Sequence, residues 1–347
     1  MKKFGKHSDS LLSLKRSFFE ENEMHLKKQS KISELYIKQP KRDSCKNCNS
    51  KLTHEADFIK LNIPYEICYR CNHLNGLHDD SSEFCKAVYE EDTGEEEYGK
   101  NYSSSNDKEY AFRTSSIYIP KAEFLYSSLL KNGINPNNLS YIDIGAGSGY
   151  FVNALNKIGI ENIRGYEVSK SQVDLGNANI GIDLLTSHGL EETNDIINNS
   201  KDNVMSLIGV LEHVQKPREL IKCFQNNDNL EYLFFSVPTF SLSSYLEIIN
   251  PEVFHRQLQG GHTHLYTKES IQYLQKEFHL NLVSEWWFGT DIVDLFRHMK
   301  IKLENSHISE KANRFFDEAF ISYLDALQLE IDKKFGSSEV HILFSKT

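Results

Sequence analysis

The residues best suited to chemistry form a glycine turn within 141–150. An apolar run with one acid, Asp143, leads into glycines at positions 145, 147 and 149. This pattern predicts a buried strand, a tight turn and a helix N-terminus, where backbone N–H groups and the helix dipole meet an anionic ligand group at close range. The residues of this run that we expect at a ligand are Asp143, Gly145, Ala146, Gly147 and Gly149.

The spacing of the glycines indicates which ligand binds. In a dinucleotide fingerprint the third glycine comes three residues after the second, whereas here it comes one residue early and Tyr150 takes its place. Glu167 ends the next predicted strand, where such folds place the carboxylate that accepts hydrogen bonds from ribose hydroxyls. These features favour S-adenosylmethionine over NAD; a dinucleotide site and a degenerate site that binds nothing are the alternatives. Glu191 is expected either to contact the adenine or to lie in a surface loop.

A second group of polar residues follows the later strands. Glu212 and His213 end a buried apolar run, at the edge where open α/β sheets bind ligands, and we expect Glu212 to contact the cofactor. Histidine titrates near neutral pH, so His213 either takes a proton from an acceptor hydroxyl or caps the following helix. Further on, an extended backbone would point His262 and His264 the same way. We favour one of them as a base or substrate contact over a metal site, because no suitably spaced acid is evident.

Four of the six cysteines form two CxxC pairs, Cys45 with Cys48 and Cys68 with Cys71, and nineteen residues separate the pairs. This spacing is typical of a zinc ribbon. Two such pairs complete the tetrahedral sulfur shell that Zn²⁺ prefers, and a closed shell leaves no position for a reacting water. We therefore predict a structural zinc ion. Buried or disulfide-linked cysteines are the alternative. Three nearby histidines are expected at the surface: His54, His73 and His78.

The elements that must position these residues follow from the hydrophobic pattern. From residue 121 apolar strands alternate with helical stretches, which predicts an α/β fold with a Rossmann-like, mostly parallel sheet. Seven strands are indicated, at about 140–144, 162–168, 182–185, 204–208, 232–238, 281–287 and 340–345. A helical insertion at about 291–335 precedes the last strand. We divide the chain into an N-terminal helical arm (1–40), the zinc-ribbon module (41–80), a tyrosine-rich lid or linker (81–120) and the α/β domain (121–347).

Composition restricts the partners. The chain has 347 residues and a formal net charge of −10, which argues against a nucleic acid as the main partner because binding phosphates requires clustered Lys and Arg. No apolar run is long enough to span a bilayer, and the polar N-terminus does not have the apolar run of a signal peptide. We expect a cytoplasmic protein with no membrane partner. The sequence does not indicate an oligomeric state.

The run 143–149 and Glu167 resemble the first motif and the second-strand acid of class I S-adenosylmethionine-dependent methyltransferases. The runs 210–214 and 264–267 are similar to signatures of members that act on small molecules, and the resemblance covers about 121–347. Together with the four-cysteine module, the chain resembles bacterial sugar methyltransferases with an N-terminal zinc-binding domain, including C-methyltransferases of nucleotide-linked ketosugars.

The resemblance implies roles for individual residues. In the sugar methyltransferases a tyrosine after the zinc module, a histidine after the fourth strand and a Glu-His pair after the fifth strand line the acceptor site. Tyr102, His213 and His264 match the tyrosine, the first histidine and the histidine of the pair. Thr263 stands where the glutamate is expected. C-methylation needs a base for a carbon-bound proton, a harder task than deprotonating a hydroxyl, so this departure weakens the C-methylation hypothesis.

We therefore expect S-adenosylmethionine-dependent methylation of a small molecule, a sugar or nucleotide-linked sugar of polysaccharide or glycoconjugate biosynthesis, with O-methylation slightly favoured over C-methylation. Two other classes stay open. An RNA methyltransferase with a zinc module is disfavoured by the acidic charge, and a non-catalytic interaction protein that binds S-adenosylmethionine is disfavoured by the retained glycines and Glu167.

Overall fold

The computed structural model describes residues 1–8, 12, 21–90, 107–259 and 261–347. Its strands form one sheet of eight and one sheet of four. The strands are β1 (Lys2–Phe4), β2 (Phe58–Lys60), β3 (Ile63–Ile67), β4 (Leu74–Gly76), β5 (Tyr141–Ile144), β6 (Ile163–Glu167), β7 (Leu185–Ser187), β8 (Val204–Ile208), β9 (Tyr232–Pro238), β10 (His264–Leu265), β11 (Asn281–Phe288) and β12 (Glu339–Ser345).

The large sheet has the order β1-β11-β12-β9-β8-β5-β6-β7. Strands β7, β6, β5, β8 and β9 run parallel, and β12 lies antiparallel between β9 and β11. The Rossmann-like, mostly parallel sheet is therefore confirmed. From β5 the chain continues to β6, towards one edge of the sheet, and from β8 it continues to β9, towards the other edge. The position between β5 and β8 is therefore a topological switch point, where open α/β sheets bind ligands.

The prediction of seven strands is wrong by one. The additional strand is β1, which pairs parallel with the edge strand β11 in the register Lys2 with Glu285 and Phe4 with Trp287. Three residues, of which two are lysines, carry no periodic apolar pattern, so no strand signal was visible in the sequence. Strand β1 forms because it pairs with the edge strand β11, which carries two tryptophans.

Helices cover both faces of the large sheet. The helices are α1 (Asn22–Tyr36), α2 (Ser82–Cys85), α3 (Asp107–Arg113), α4 (Ile119–Lys131), α5 (Tyr150–Lys157), α6 (Lys170–Ile180), α7 (Thr193–Asn199), α8 (Pro217–Asn226), α9 (Leu242–Ile249), α10 (Lys268–Glu277), α11 (Asp291–Glu304), α12 (Glu310–Ile321) and α13 (Leu324–Lys333). Alternate residues of β5 enter different cores, since Ile142 packs with α8 and α10 whereas Tyr141 packs with α4 and α5. This alternation follows from the two-residue period of a strand.

The four-stranded sheet has the order β10-β4-β3-β2. Three of its strands belong to the cysteine-bearing segment, but β10 comes from the distant loop that carries the later histidines. It pairs antiparallel with β4, His264 opposite Asn75 and Leu265 opposite Leu74. A core that includes Tyr36 of α1, Tyr65 and Leu258 lies against this sheet. The histidine loop is therefore held directly by the cysteine-bearing segment.

The predicted helical insertion consists of α11, α12 and α13. Its apolar side chains form a separate small core around Phe296, Phe320 and Leu324. Within the part of the chain that the structure describes, no helix has the length and apolar character needed to cross a bilayer.

Candidate functional site

The glycine turn connects β5 to α5 with a left-handed backbone. Gly145, Gly147 and Gly149 have φ values of +69°, +53° and +71°, a region that side chains disfavour. A Cβ at Gly145 would lie 2.7 Å from a methyl group of Val210, so a side chain is excluded there. The hydroxyl of Ser148 is buried and has no hydrogen-bond partner among the described residues. The turn thus leaves backbone and hydroxyl groups at the N-terminus of α5, which fits the cradle predicted for S-adenosylmethionine.

Glu167 ends β6 beside this turn. Its Oε2 accepts a hydrogen bond from the Gly147 amide at 2.8 Å, and its Oε1 accepts one from the Ser169 amide at 3.0 Å. Burial raises the pKa of Glu167, while the backbone amides act in the opposite direction. Because each carboxylate oxygen has two acceptor sites, both keep capacity for a further hydrogen bond, and the contact with a ribose hydroxyl stays a prediction.

Three other residues singled out around the cofactor site lie in different surroundings. Asp143 is buried and accepts a hydrogen bond of 2.6 Å from Ser206 on β8; burial raises its pKa to about 7. Glu191 is exposed in a short turn after β7. Tyr150, which replaces the third glycine of a dinucleotide site, is stacked on Tyr110 with the ring centroids 4.4 Å apart. The contacts of Asp143 and Glu191 with a ligand stay predictions.

Glu212, His213 and His262 converge at the carboxyl edge of β8. One ligand-type atom from each lies within 4.8 Å of the other two, and the two imidazole centroids are 4.9 Å apart. Burial lowers the pKa of His213 to about 4 and that of His262 to about 3, and it raises the pKa of Glu212 to about 8. Each of these shifts favours the uncharged form of the group.

His264 lies apart from this cluster. Its Nδ1 is 2.7 Å from Nε2 of His73, and both rings are fully buried between β10 and β4. The expectation that His73 lies at the surface is wrong, because β4 begins directly after it and turns its ring inward. His262 precedes β10 and contacts His213 instead, so the two histidines of the loop have different partners. The role of His264 at the acceptor stays a prediction, and Tyr102 lies outside the described residues.

Lys46 connects the cysteine-bearing segment to two site loops: the loop after β8, which carries His213, and the loop before β10, which carries His262 and Thr263. The sequence did not indicate these contacts. Its buried ammonium forms an ion pair with Asp80 and donates to the carbonyl oxygen of Val214 at 2.8 Å and to Thr263 Oγ1 at 3.2 Å. The Thr263 hydroxyl donates to Asp80 at 3.1 Å. Burial lowers the pKa of Lys46 to about 8. From the sequence alone, a lysine between two cysteines is expected at the surface. The contacts of Lys46 with the two loops become visible only in the fold.

The four predicted metal-ligating cysteines are buried in one cluster. The sulfur of Cys45 lies 3.7 Å from that of Cys71, and the sulfur of Cys48 lies 3.4 Å from that of Cys68. A tetrahedral zinc site with Zn–S bonds of about 2.3 Å has sulfur–sulfur edges of about 3.8 Å. The cluster therefore fits Zn²⁺, and the four thiolates would hold it.

The chain resembles known methyltransferases in comparisons of sequence and structure. Residues 120–285 match a family model described as a methyltransferase domain. No curated protein matches the chain.

Among solved structures, magnesium protoporphyrin IX methyltransferase from Synechocystis PCC 6803 with bound SAH has 10% identity, covers 77% of this chain and 99% of its own, and gives a TM-score of 0.47. A putative sarcosine dimethylglycine methyltransferase from Galdieria sulphuraria has 17% identity, 68% and 88% coverage and a TM-score of 0.42. Geranyl diphosphate C-methyltransferase from Streptomyces coelicolor has 14% identity, 70% and 85% coverage and a TM-score of 0.41.

The family match covers the glycine turn, Glu167 and the polar cluster after β8. Residues 120–285 therefore form a methyltransferase domain, and the protein is an S-adenosylmethionine-dependent methyltransferase.

Proposed function

We propose that the protein methylates a hydroxyl group of a sugar, carried on a nucleotide, in polysaccharide or glycoconjugate biosynthesis. The observation that carries this proposal is the meeting of Glu212, His213 and His262 directly beside the glycine turn. Val210 packs against Gly145, and His213 follows three residues later along the same loop. An acceptor held by the cluster would therefore lie next to the cofactor cradle.

The tautomer of His213 suits proton transfer from a hydroxyl. Its Nδ1 lies 3.1 Å from the carbonyl oxygen of Gly261. A carbonyl only accepts, so Nδ1 carries the hydrogen and Nε2 keeps its lone pair. Bound S-adenosylmethionine supplies an electrophilic methyl group. The residues of the chain have to place the acceptor oxygen in line with that methyl and receive the proton, and positioning supplies most of the rate.

The surroundings of Thr263 favour O-methylation over C-methylation. Its hydroxyl is committed to Asp80 and Lys46, so this position offers no base for a carbon-bound proton. In the polar cluster, burial raises the pKa of the Glu212 carboxyl to about 8, which disfavours its charged, basic form at neutral pH. A neutral imidazole is a weak base, sufficient for a hydroxyl whose acidity rises late in methyl transfer.

We also propose that Zn²⁺ occupies the four-cysteine cluster in a structural role. Four thiolates close the coordination shell, and the cluster lies beside Lys46 rather than at the cofactor cradle. Its contribution to activity would be indirect, through the contacts of Lys46 with the loops that carry His213 and Thr263.

The proposal is tested by incubating zinc-loaded protein and methyl-labelled S-adenosylmethionine with a panel of nucleotide sugars and with an RNA control. We expect label in one or a few nucleotide sugars and none in RNA. His213→Gln should lower turnover by about 100-fold or more at nearly unchanged cofactor affinity. The matched control is His7→Gln, which removes an exposed histidine paired with Asp325. Transfer to RNA alone, or full activity of His213→Gln, would overturn the proposal.

A further inference from the structure

The cluster formed by Glu212, His213 and His262 has the composition of a metal site. Two imidazoles and one carboxylate present atoms within 4.8 Å of one another. Glu212 and His213 are adjacent after β8, and His262 reaches them from the loop before β10. Three ligands of this kind form the two-histidine, one-carboxylate set that binds divalent transition metals and leaves coordination positions open.

The backbone fixes both imidazoles in the orientation that metal ligands need. The Nδ1 atom of His213 is 3.1 Å from the Gly261 carbonyl oxygen, and Nδ1 of His262 is 2.8 Å from the Gln257 carbonyl oxygen. Each Nδ1 therefore donates, and each Nε2 presents its lone pair. Histidines that bind metals usually donate their other ring N–H to a carbonyl or carboxylate in this way. The side-chain amide of Gln259 lies 3.1 Å from His262 Nε2, and a bound cation would replace this contact.

The buried carboxyl group of Glu212 would be stabilised by a cation at this position. The residue is 3% exposed, and its Oε2 is buried with no hydrogen-bond partner in the described ranges. The ammonium of Lys121, which acts on Glu212 electrostatically, is bonded to Glu339 at 3.0 Å. A buried carboxyl oxygen without a partner is strongly unfavourable. A divalent ion would satisfy this oxygen together with the two imidazoles.

We propose that Glu212, His213 and His262 bind one divalent transition-metal ion, separate from the four-cysteine cluster. Mg²⁺ and Ca²⁺ prefer shells of oxygen ligands, so two imidazoles favour a transition-metal ion such as Fe²⁺ or Co²⁺, and Mn²⁺ binds the same set more weakly. Thiolates favour Zn²⁺ more strongly than imidazoles do, so the cysteine cluster fills first when zinc is limiting. Zn²⁺ also binds sets of two histidines and one carboxylate, so zinc has to be limited to one ion per chain before the second site is loaded.

The role of this ion rests on the proposed function. Its open positions, next to the loop that packs against Gly145, would take a hydroxyl or a vicinal diol of the sugar and lower the pKa of the bound hydroxyl. His213 would then be a ligand, and the hydroxyl proton would pass to solvent water. The acceptor class narrows to sugars with a hydroxyl available for coordination, which fits methyl transfer to oxygen.

Metal binding is measured without any acceptor, so its failure is distinct from failure of the proposed function. Protein that carries one zinc ion per chain is titrated with Mn²⁺, and free Mn²⁺ is followed by its paramagnetic resonance signal. We expect one Mn²⁺ per chain and a loss of affinity of at least about tenfold in Glu212→Gln and in His262→Asn, with His7→Gln unchanged. His262→Asn serves if Glu212→Gln fails to fold.

Two results would overturn the metal proposal. One is the absence of Mn²⁺ binding at millimolar concentration. The other is binding that both folded variants retain at full affinity. If sugar methylation were observed in either case, the proposed function would stand with His213 as the base, and only the metal proposal would be rejected.

Discussion

The ammonium nitrogen of Lys46 lies 2.8 Å from the carbonyl oxygen of Val214, the residue that follows His213. Lys46 stands between Cys45 and Cys48, so one side chain joins the first cysteine pair to the loop of the candidate acceptor site. The same ammonium reaches Thr263 on the second site loop. The cysteine-bearing segment therefore positions both loops, although it contributes none of the three side chains of the polar cluster.

Lys46→Met should impair catalysis without weakening cofactor binding. The variant removes a buried cation and leaves Arg42, 2.8 Å from the other oxygen of Asp80, as the partner of that carboxylate. Breaking a buried pair destabilises a protein by about 3–5 kcal/mol, and the remaining arginine should keep the cost at the lower end. We expect turnover to fall at least tenfold and cofactor affinity, measured by calorimetry, to stay within about twofold.

The matched control for Lys46 is Lys51→Met, an exposed lysine in the same segment, which should leave both quantities unchanged. Wild-type turnover of a folded Lys46→Met variant would show that the contact with Val214 has no role in positioning.

Cys45→Ser should remove the bound zinc and lower the melting temperature. In zinc-finger peptides such sites contribute about 10–16 kcal/mol of apparent binding energy to folding, and β10 depends on β4 for pairing. Zinc content by mass spectrometry and the thermal transition measure the two effects. Cys223→Ser, at a buried cysteine outside the cluster, is the control and should keep its zinc. Stoichiometric zinc in Cys45→Ser would contradict the assignment.

Glu167→Ala should weaken binding of S-adenosylmethionine by about 10- to 100-fold, because hydrogen bonds to a charged group contribute about 1.5–3 kcal/mol. Glu167→Gln keeps one acceptor oxygen, so its affinity for S-adenosylmethionine should lie between that of Glu167→Ala and that of the wild type. Calorimetry measures the affinity, and Glu161→Ala, at an exposed carboxylate just before β6, is the control. Unchanged affinity in Glu167→Ala would remove the ribose assignment.

Asp143 should make stability depend on pH. Burial raises its pKa from 3.8 to about 7, so between these values the folded protein holds a proton that the unfolded chain releases. The stabilising contribution is complete below about pH 4 and is lost as the pH rises to about 7. From pH 5 to pH 8 the wild type should therefore lose roughly 2 kcal/mol relative to Asp143→Asn.

Melting temperatures of wild type and Asp143→Asn at pH 5 and pH 8 test this dependence. Asp174→Asn, at an exposed carboxylate in α6, should show no pH-dependent difference from the wild type. A constant difference between wild type and Asp143→Asn across this range would show that Asp143 is ionised throughout.

The sequence predicted the central strands well because buried parallel strands are continuous apolar runs with turn residues at their ends. It also predicted the glycine turn and Glu167, whose positions depend on local spacing. The strand β1 was missed because its stability comes from pairing with β11 rather than from its own pattern.

The polar cluster was only partly visible in the sequence. His262 was considered as a metal ligand and set aside because no acid stood near it along the chain. The acid is Glu212, which the fold brings from the end of β8 to the loop before β10. Lys46 and His73 were missed for the same reason, since each gains its role from a contact with a distant loop.

The most direct test of the central claim is the atom that receives the methyl group. Protein is incubated with S-adenosylmethionine carrying a ¹³C-methyl group and with the nucleotide sugar that accepts label, and the product is examined by carbon–proton correlation NMR. We predict a methyl signal of an ether, with a long-range correlation to one sugar carbon across oxygen. A methyl group bonded directly to a ring carbon would contradict the assignment of Glu212, His213 and His262 to a hydroxyl acceptor.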